Sequence, residues 1–296
     1  MILSVASGKG GTGKTTVATN LALCLGHVQF LDCDVEEPNA HIFLRPSVET
    51  TIPAVIPIPR VDLSKCSCCG KCNHACEFHA IVVVKESVLT FDELCHGCGA
   101  CSYVCPEKAI SEIDKQIGRI EMGHTGDIRF IRGILNVGEP MATPIIRKEK
   151  RLMVPSDITI LDAPPGTSCP VIETVKGSDF CLLVTEPTPF GLNDLELAVG
   201  VVDKLAIPMG VVINRADIGD RGVAAFCQRK GIPVLMEIPM DRRIAESYSR
   251  GVPTVTALPD YRTRFVALFR RIDDLLKQNT KRKGGEDVVK RDFIRP

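Results

Sequence analysis

The chain has 296 residues, of which 45% are hydrophobic, and 36 Lys plus Arg stand against 36 Asp plus Glu. That length and apolar fraction exclude a disordered chain and suffice for one large folded unit or two smaller ones. The even charge balance exerts no general pull towards nucleic acid, acidic membranes or polyanionic substrates, so nucleic acid is not an expected partner and any anion site must be local.

From the start of the chain, Ile2 to Ala6 is a short apolar run ending in a Gly-rich turn, and Thr15 to Leu25 then has helical periodicity. A second strand is expected at Val28 to Leu31, ending at Asp32, and apolar runs recur at Ile158 to Leu161, Phe180 to Thr185, Met209 to Ile213 and Val234 to Ile238. Helices are expected at Gly191 to Lys204, Val223 to Lys230 and Arg243 to Arg250, with a closing amphipathic helix at Tyr261 to Gln278. This alternation predicts an α/β fold with a mostly parallel sheet covered by helices on both faces.

The alternation breaks between about Pro53 and Ser111, after Ile52 to Pro59, whose three prolines read as chain punctuation. The expected domains are 1–55 and 112–278 as a discontinuous main unit, 56–111 as a small inserted α+β domain, and 279–296 as a flexible basic tail. Residues 277–296 hold seven basic and three acidic residues, which suits a solvated segment. Ile117 to Arg151 reads as a Gly-punctuated, short-stranded return to the main sheet. The N-terminus lacks the pattern of a signal peptide, and no run approaches the roughly 20 apolar residues of a membrane span, so a cytoplasmic protein without stable membrane insertion is expected. Eight of the 14 Cys sit in two short regular clusters, which in a reducing compartment argues for metal ligation.

Gly8-Lys9-Gly10-Gly11-Thr12-Gly13-Lys14-Thr15 fits the phosphate-binding pattern GxxxxGK[ST] between a predicted strand and a predicted helix. Glycines let backbone amides converge on phosphate oxygens, and the helix N-terminus favours anions. Lys14 can reach the outer phosphates, the Thr15 hydroxyl can ligate Mg²⁺, and Thr16 continues the cradle.

The second lysine, Lys9, makes the loop resemble the deviant Walker A motif of the MinD, ParA, Mrp and nitrogenase iron protein superfamily. The resemblance implies that Lys9 contacts the ATP of a partner subunit, in a nucleotide-dependent homodimer or a heterodimer with a related ATPase. Leu31-Asp32-Cys33-Asp34 resembles the superfamily's switch I. By that resemblance Asp34 positions or activates the attacking water, with Lys9 and Lys14 completing the catalytic set, and Asp32 supports Mg²⁺. Ile160 to Gly166 has the hhhDxPPG form of the Walker B and switch II region, placing Asp162 near the metal and Gly166 at the terminal phosphate. Asn214, in Val212-Ile213-Asn214-Arg215, resembles the residue that pairs with adenine, and Pro239 to Arg242 would complete the base pocket. Capping and turn formation at strand ends are the alternative for each of these polar residues taken singly.

Cys66, Cys69, Cys72 and Cys76 are spaced CxxCxxCxxxC, and Cys95, Cys98, Cys101 and Cys105 repeat the spacing, followed by Pro106. This resembles the duplicated signature of two-cluster bacterial ferredoxins, in which the last Cys of each repeat ligates the other cluster. The resemblance implies two [4Fe–4S] clusters, one on Cys66, Cys69, Cys72 and Cys105 and the other on Cys76, Cys95, Cys98 and Cys101. Two zinc sites are the alternative use of eight thiolates. Glu77 stands where proline is usual after the last Cys of the first repeat, and Cys68 and His96 read as spacers.

Taken together, about residues 1–275 look like a MinD-superfamily P-loop ATPase with an inserted ferredoxin domain. The expected reaction is ATP + H₂O → ADP + phosphate, slow and partner-stimulated, with ATP or ADP, Mg²⁺ and two clusters as cofactors. Expected uses are ATP-gated electron transfer to a redox partner or assembly of a metallocofactor on a partner protein. A positioning ATPase with redox-sensing clusters is the alternative.

Overall fold

The computed structural model describes residues 1–155 and 158–291, with side chains to residue 278. The chain opens with β1 (Ile2–Ser7), α1 (Lys14–Leu25), β2 (Gln29–Asp32), α2 (Ala40–Leu44) and the long β3 (Ser47–Val61). Next come α3 (Lys71–Ala75), β4 (Ile81–Val84), β5 (Ser87–Thr90) and α4 (Ala100–Tyr103). The chain returns through β6 (Ile110–Thr125), β7 (Ile128–Leu135) and α5 (Thr143–Arg151). It continues with β8 (Thr159–Pro165), α6 (Cys169–Val175), β9 (Phe180–Thr185), α7 (Pro189–Lys204), β10 (Met209–Asn214), α8 (Gly222–Lys230) and β11 (Val234–Ile238). Three helices close it: α9 (Arg242–Ser249), α10 (Thr254–Ala257) and α11 (Asp260–Arg291). The last turns of α11 carry part of the basic segment expected as a tail; its side chains lie outside the described set, and 292–296 lie outside the described residues.

One sheet of nine strands runs β11-β10-β9-β1-β8-β2-β7-β6-β3. All pairings from β11 to β7 are parallel, whereas β6 is antiparallel to both β7 and β3. The inner strands β2 and β9 are buried at every residue, as strands of a sheet covered on both faces are. Phe30, Phe180, Leu21 and Phe265 pack between the sheet and α1 and α11, and Leu183, Leu195, Val202 and Phe226 pack beneath α7 and α8. The parallel strands end together on one edge at Ser7, Asp32, Pro165, Asn214 and Ile238, the edge where doubly wound sheets bind ligands.

Two expectations are corrected. Ile117 to Arg151 is not short-stranded: β6 has 16 residues, and its pairing with β3 runs from Ser47 opposite His124 to Val61 opposite Ile110. The prolines at 53, 57 and 59 do not interrupt the chain but lie within β3. As the outermost strand, β3 needs no N–H on its open side, so proline is tolerated there as it would not be in a central strand. The proposed boundaries at 55/56 and 111/112 fall inside this continuous ribbon, which leads from the sheet to the Cys-rich segment.

With the ribbon strands β3 and β6 as its ends, this part of the chain has a βαββαβ order, and β4 and β5 pair antiparallel beyond the ribbon. The two Cys repeats match in backbone conformation at an interval of 29 residues. Positive φ occurs at Cys68 and Gly97, at Gly70 and Gly99, and at His79 and Lys108. The duplication is therefore structural as well as sequential. Ile56, Ile58, Ala80 and Cys95 of this region pack into one apolar core with Leu31, Cys33, Leu161 and Ile145 of the main unit.

Candidate functional site

The loop from Gly8 to Gly13 joins β1 to α1, and close approach requires glycine at Gly8 and Gly13. A Cβ on Gly8 would stand 2.1 Å from the Asp194 carbonyl oxygen, and one on Gly13, at φ +93°, would stand 2.6 Å from Asn214 Nδ2. Gly11 is also left-handed, at φ +78°, while Gly10 faces open space. The Asn214 amide donates to the Thr12 carbonyl at 2.8 Å and accepts from the Arg215 amide at 3.0 Å, so the end of β10 is tied to the loop. Gly166, at φ +96°, donates its amide to the Ser7 carbonyl at 2.9 Å, which holds the end of β8 against β1.

Lys14 Nζ lies 3.1 Å from Asp34 Oδ2. Burial pulls the Lys14 ammonium down, but Asp162, Asp34 and Asp32 outweigh it and hold Lys14 charged beyond its ordinary range. For Asp34, burial outweighs the attraction of Lys14 and raises the carboxyl. Asp32 is buried; one oxygen accepts the Ala40 amide at 2.9 Å at the start of α2, and the other has no hydrogen bond. Both oxygens of Asp162 are buried without a well-formed hydrogen bond, although the Thr15 hydroxyl faces it. Burial raises both carboxyls, Asp162 adding to the rise of Asp32 while Lys14 opposes both. Orphaned carboxylate oxygens beside Thr15 form the hard-oxygen donor set that Mg²⁺ takes.

A pocket of about 390 Å³ opens beside the loop, lined by Gly13, Lys14, Thr15, Thr16, Asn214 and Pro239 among others. Sequence reasoning missed its far wall, where Ile244 and Tyr248 of α9 and Tyr261 and Phe265 of α11 present apolar and aromatic surface. Those residues carry no motif, and only the docking of two late helices assembles them. Lys9 does not line the pocket; its ammonium lies 3.6 Å from Glu186 Oε2. Glu186 is a second residue that no motif marked.

In the Cys-rich region, Cys66, Cys69, Cys72 and Cys105 line one cavity together with Cys68. The thiols of Cys76 and Cys98 lie close enough to Cys95 to raise it, after the larger effect of burial, and Cys95 and Cys98 act on Cys101 in the same way. Each neighbourhood draws on both repeats. Backbone amides approach sulfur at matching places, Ala80 to Cys76 and Ala109 to Cys105, each at 3.3 Å. Such amides stabilise thiolates, and the fourfold thiol sets match the ligand chemistry of a cubane cluster. Among the described residues, no three His, Cys, Asp or Glu side chains close to the spacing of a single-ion site.

A phosphate loop opening a helix at the C-terminal edge of a parallel sheet, with carboxylates at the neighbouring strand ends, defines a P-loop nucleoside triphosphatase. The chain belongs to the CobQ/CobB/MinD/ParA nucleotide binding domain family, whose model matches residues 3–255. It is 33% identical over 263 residues to an uncharacterised protein of Methanocaldococcus jannaschii, MJ0579, covering 85% of this chain and 90% of that one. It is 25% identical over 280 residues to an iron-sulfur cluster carrier protein of Pyrococcus horikoshii, covering 86% of this chain and 78% of that one. Among solved structures, the septum site-determining protein MinD of Pyrococcus horikoshii, complexed with Mg-ADP, superposes with a TM-score of 0.59 at 21% identity, covering 93% of this chain and 96% of that one. Among the described residues no helix is long and apolar enough to cross a membrane.

Proposed function

We propose that the chain is a Mg-ATP hydrolysing iron-sulfur protein in which nucleotide-driven switching is coupled to two [4Fe–4S] clusters, and that it serves the assembly of metallocofactors on a partner protein in the cytoplasm. The observation that carries the coupling is the shared apolar core of Cys33 and Cys95: the residue between Asp32 and Asp34 and one thiol of the second set belong to the same buried cluster, with Cys76 packed against it. Dense cores transmit displacement, so a shift at one end is felt at the other. The names of relatives that carry or assemble iron-sulfur clusters support the assembly reading.

In the nucleotide half, phosphate oxygens at the loop would compete with Asp34 for Lys14. Release of Asp34 from Lys14 would free a carboxylate to orient the attacking water, while Thr15 and Asp162, with Asp32 through water, would hold Mg²⁺. Mg²⁺ supplies charge stabilisation to the transferring phosphoryl group. Asn214 and Pro239 would face the base, and Gly166 the terminal phosphate. Two subunits would meet over the nucleotide, each contributing Lys9 to the other's site.

A second reading, ATP-gated electron transfer to a redox partner, is favoured by the supply of all eight candidate thiols by one chain, which suits clusters that stay in place. One anaerobic experiment separates the two. After counting iron, cluster transfer to an apo-acceptor and reversible reduction are each measured with ADP and with a non-hydrolysable ATP analogue. Nucleotide-dependent transfer supports assembly, and reversible reduction with a nucleotide-dependent potential but no transfer supports electron delivery. Clusters that respond to neither nucleotide sink the coupling, and zinc in place of iron sinks the cofactor assignment.

A further inference from the structure

Glu186 follows β9 directly, and its backbone is fixed. The Thr188 amide donates to the Glu186 carbonyl at 2.8 Å, and a Cβ on Gly191 would come within 2.3 Å of that same oxygen. Its side chain is only 9% exposed, a burial that a carboxylate tolerates only when its charge is met. Two cations meet it unequally. Arg215 Nη1 lies 2.5 Å from Oε1, whereas Lys9 Nζ lies 3.6 Å from Oε2; both cations keep solvent contact, with side chains 42% and 32% exposed. Arg215 is the anchor, because losing it would strand a buried charge. Lys9 is the exchangeable partner, because at 3.6 Å its contact with the carboxylate is the longer and weaker of the two.

The anchor is also tied to the pocket. Arg215 has φ +52°, a left-handed conformation unusual for a residue with a side chain, and its amide is held by the Oδ1 of Asn214, which lines the pocket wall. Arg215 also lines the pocket itself, so the contacts run from the pocket through Arg215 and Glu186 to Lys9.

We propose that Glu186 is a positioning residue for Lys9: it keeps the ammonium turned back on its own subunit until phosphate oxygens of a second subunit's nucleotide take the Glu186 carboxylate's place. This rests on the reading above that Lys9 serves the nucleotide across a dimer. The competition makes dimer formation cost the breaking of the Lys9–Glu186 pair, so it sets the nucleotide concentration at which subunits join.

Two measurements on the full chain test this and separate the contact from the dimer reading. In the first, Lys9 is labelled by reductive methylation of the nucleotide-free protein and quantified by peptide mass spectrometry. Glu186→Gln should speed labelling of Lys9 about threefold relative to other lysines, as expected for losing a partly exposed ion pair; an unchanged rate overturns the proposal. If Glu186→Gln does not fold, Glu186→Asp keeps the charge beside Arg215 but draws the carboxylate back from both cations, so the already long contact with Lys9 is lost first and Lys9 should again label faster than wild type.

In the second, sedimentation is followed against a non-hydrolysable ATP analogue. Glu186→Gln should lower the midpoint for dimer formation about fivefold, and in a Lys9→Ala background it should change nothing, whether that background dimerises weakly or not at all. A shift that persists without Lys9 overturns the proposal by showing that Glu186 acts elsewhere. A wild-type chain that stays monomeric at saturating analogue refutes the dimer reading on which the competition rests, while the labelling result still decides whether Glu186 holds Lys9.

Discussion

Lys14 and Asp34 form an ion pair 3.1 Å apart in which each side chain is only 10% exposed. The residue assigned to the phosphates and the residue assigned to water are thus paired with each other. Asp34→Asn should lower nucleotide hydrolysis about 100-fold or more, the range in which loss of a positioned general base falls. ADP affinity should stay within about threefold, because Lys14 keeps Asp162 and Asp32 as neighbouring charges. Steady-state hydrolysis and calorimetric ADP titration read the two separately. An equal loss in both would mean that Asp34 shapes the site without acting in the reaction.

The cavity that joins Cys105 to Cys66, Cys69 and Cys72 predicts which losses pair. Cys105→Ala should remove the same cluster as Cys66→Ala, and Cys76→Ala the same as Cys98→Ala, although each pair spans both repeats. Iron content should fall from about eight to about four per chain in every case, and electron paramagnetic resonance of the remaining cluster should give two spectra for the four variants. If Cys105→Ala instead matched Cys98→Ala, the ligands would follow sequence order and the crossing would be wrong.

Gly13 sits at φ +93° with Asn214 Nδ2 2.6 Å from the position of an added Cβ. Gly13→Ala therefore meets two obstacles, left-handed strain of about 1–2 kcal/mol and a collision with the amide that bonds the Thr12 carbonyl. Urea unfolding should show the stability loss, and ATP-analogue binding should weaken more than tenfold. Adding Asn214→Ala should recover part of the stability but none of the binding. Full recovery of both would locate the whole defect in the collision.

Much of this fold was legible because its central strands are continuous apolar runs and its site residues are bound to local motifs. Ile2 to Ala6, Asp32, Asp162 and Asn214 were readable from a few neighbours each, since a strand that ends in a polar residue announces its own edge. The ribbon was not, because the prolines of β3 are acceptable only once β3 is known to be the outer strand, and that depends on β6 more than 50 residues later. The wall of Tyr248, Tyr261 and Phe265 was hidden for the same reason: ordinary amphipathic helices acquire a role only by docking. Glu186 has no motif at all, and its meaning comes from the two cations that the fold brings to it.

Glu149 on α5 shows what such hidden residues do to stability. It is fully buried beneath Gly133, with both carboxylate oxygens lacking a well-formed hydrogen bond. Burial, reinforced by Asp32, holds its carboxyl well above the ordinary range, against the opposing pull of the Gly133 amide and the Cys33 thiol. The sign follows from linkage: a folded value raised above the unfolded one, about 4.3, gives stability that is complete below that pH and lost as pH rises through the folded value. Glu149→Gln keeps the shape and removes the titration, so its stability relative to wild type should grow as pH is raised from about 5 to 8. Burial raises Asp32 and Asp162 as well, so the measurement is the difference between the variant and wild-type curves and not the pH dependence of wild type alone. Melting profiles that stay parallel across that range would show that burial does not raise the Glu149 carboxyl.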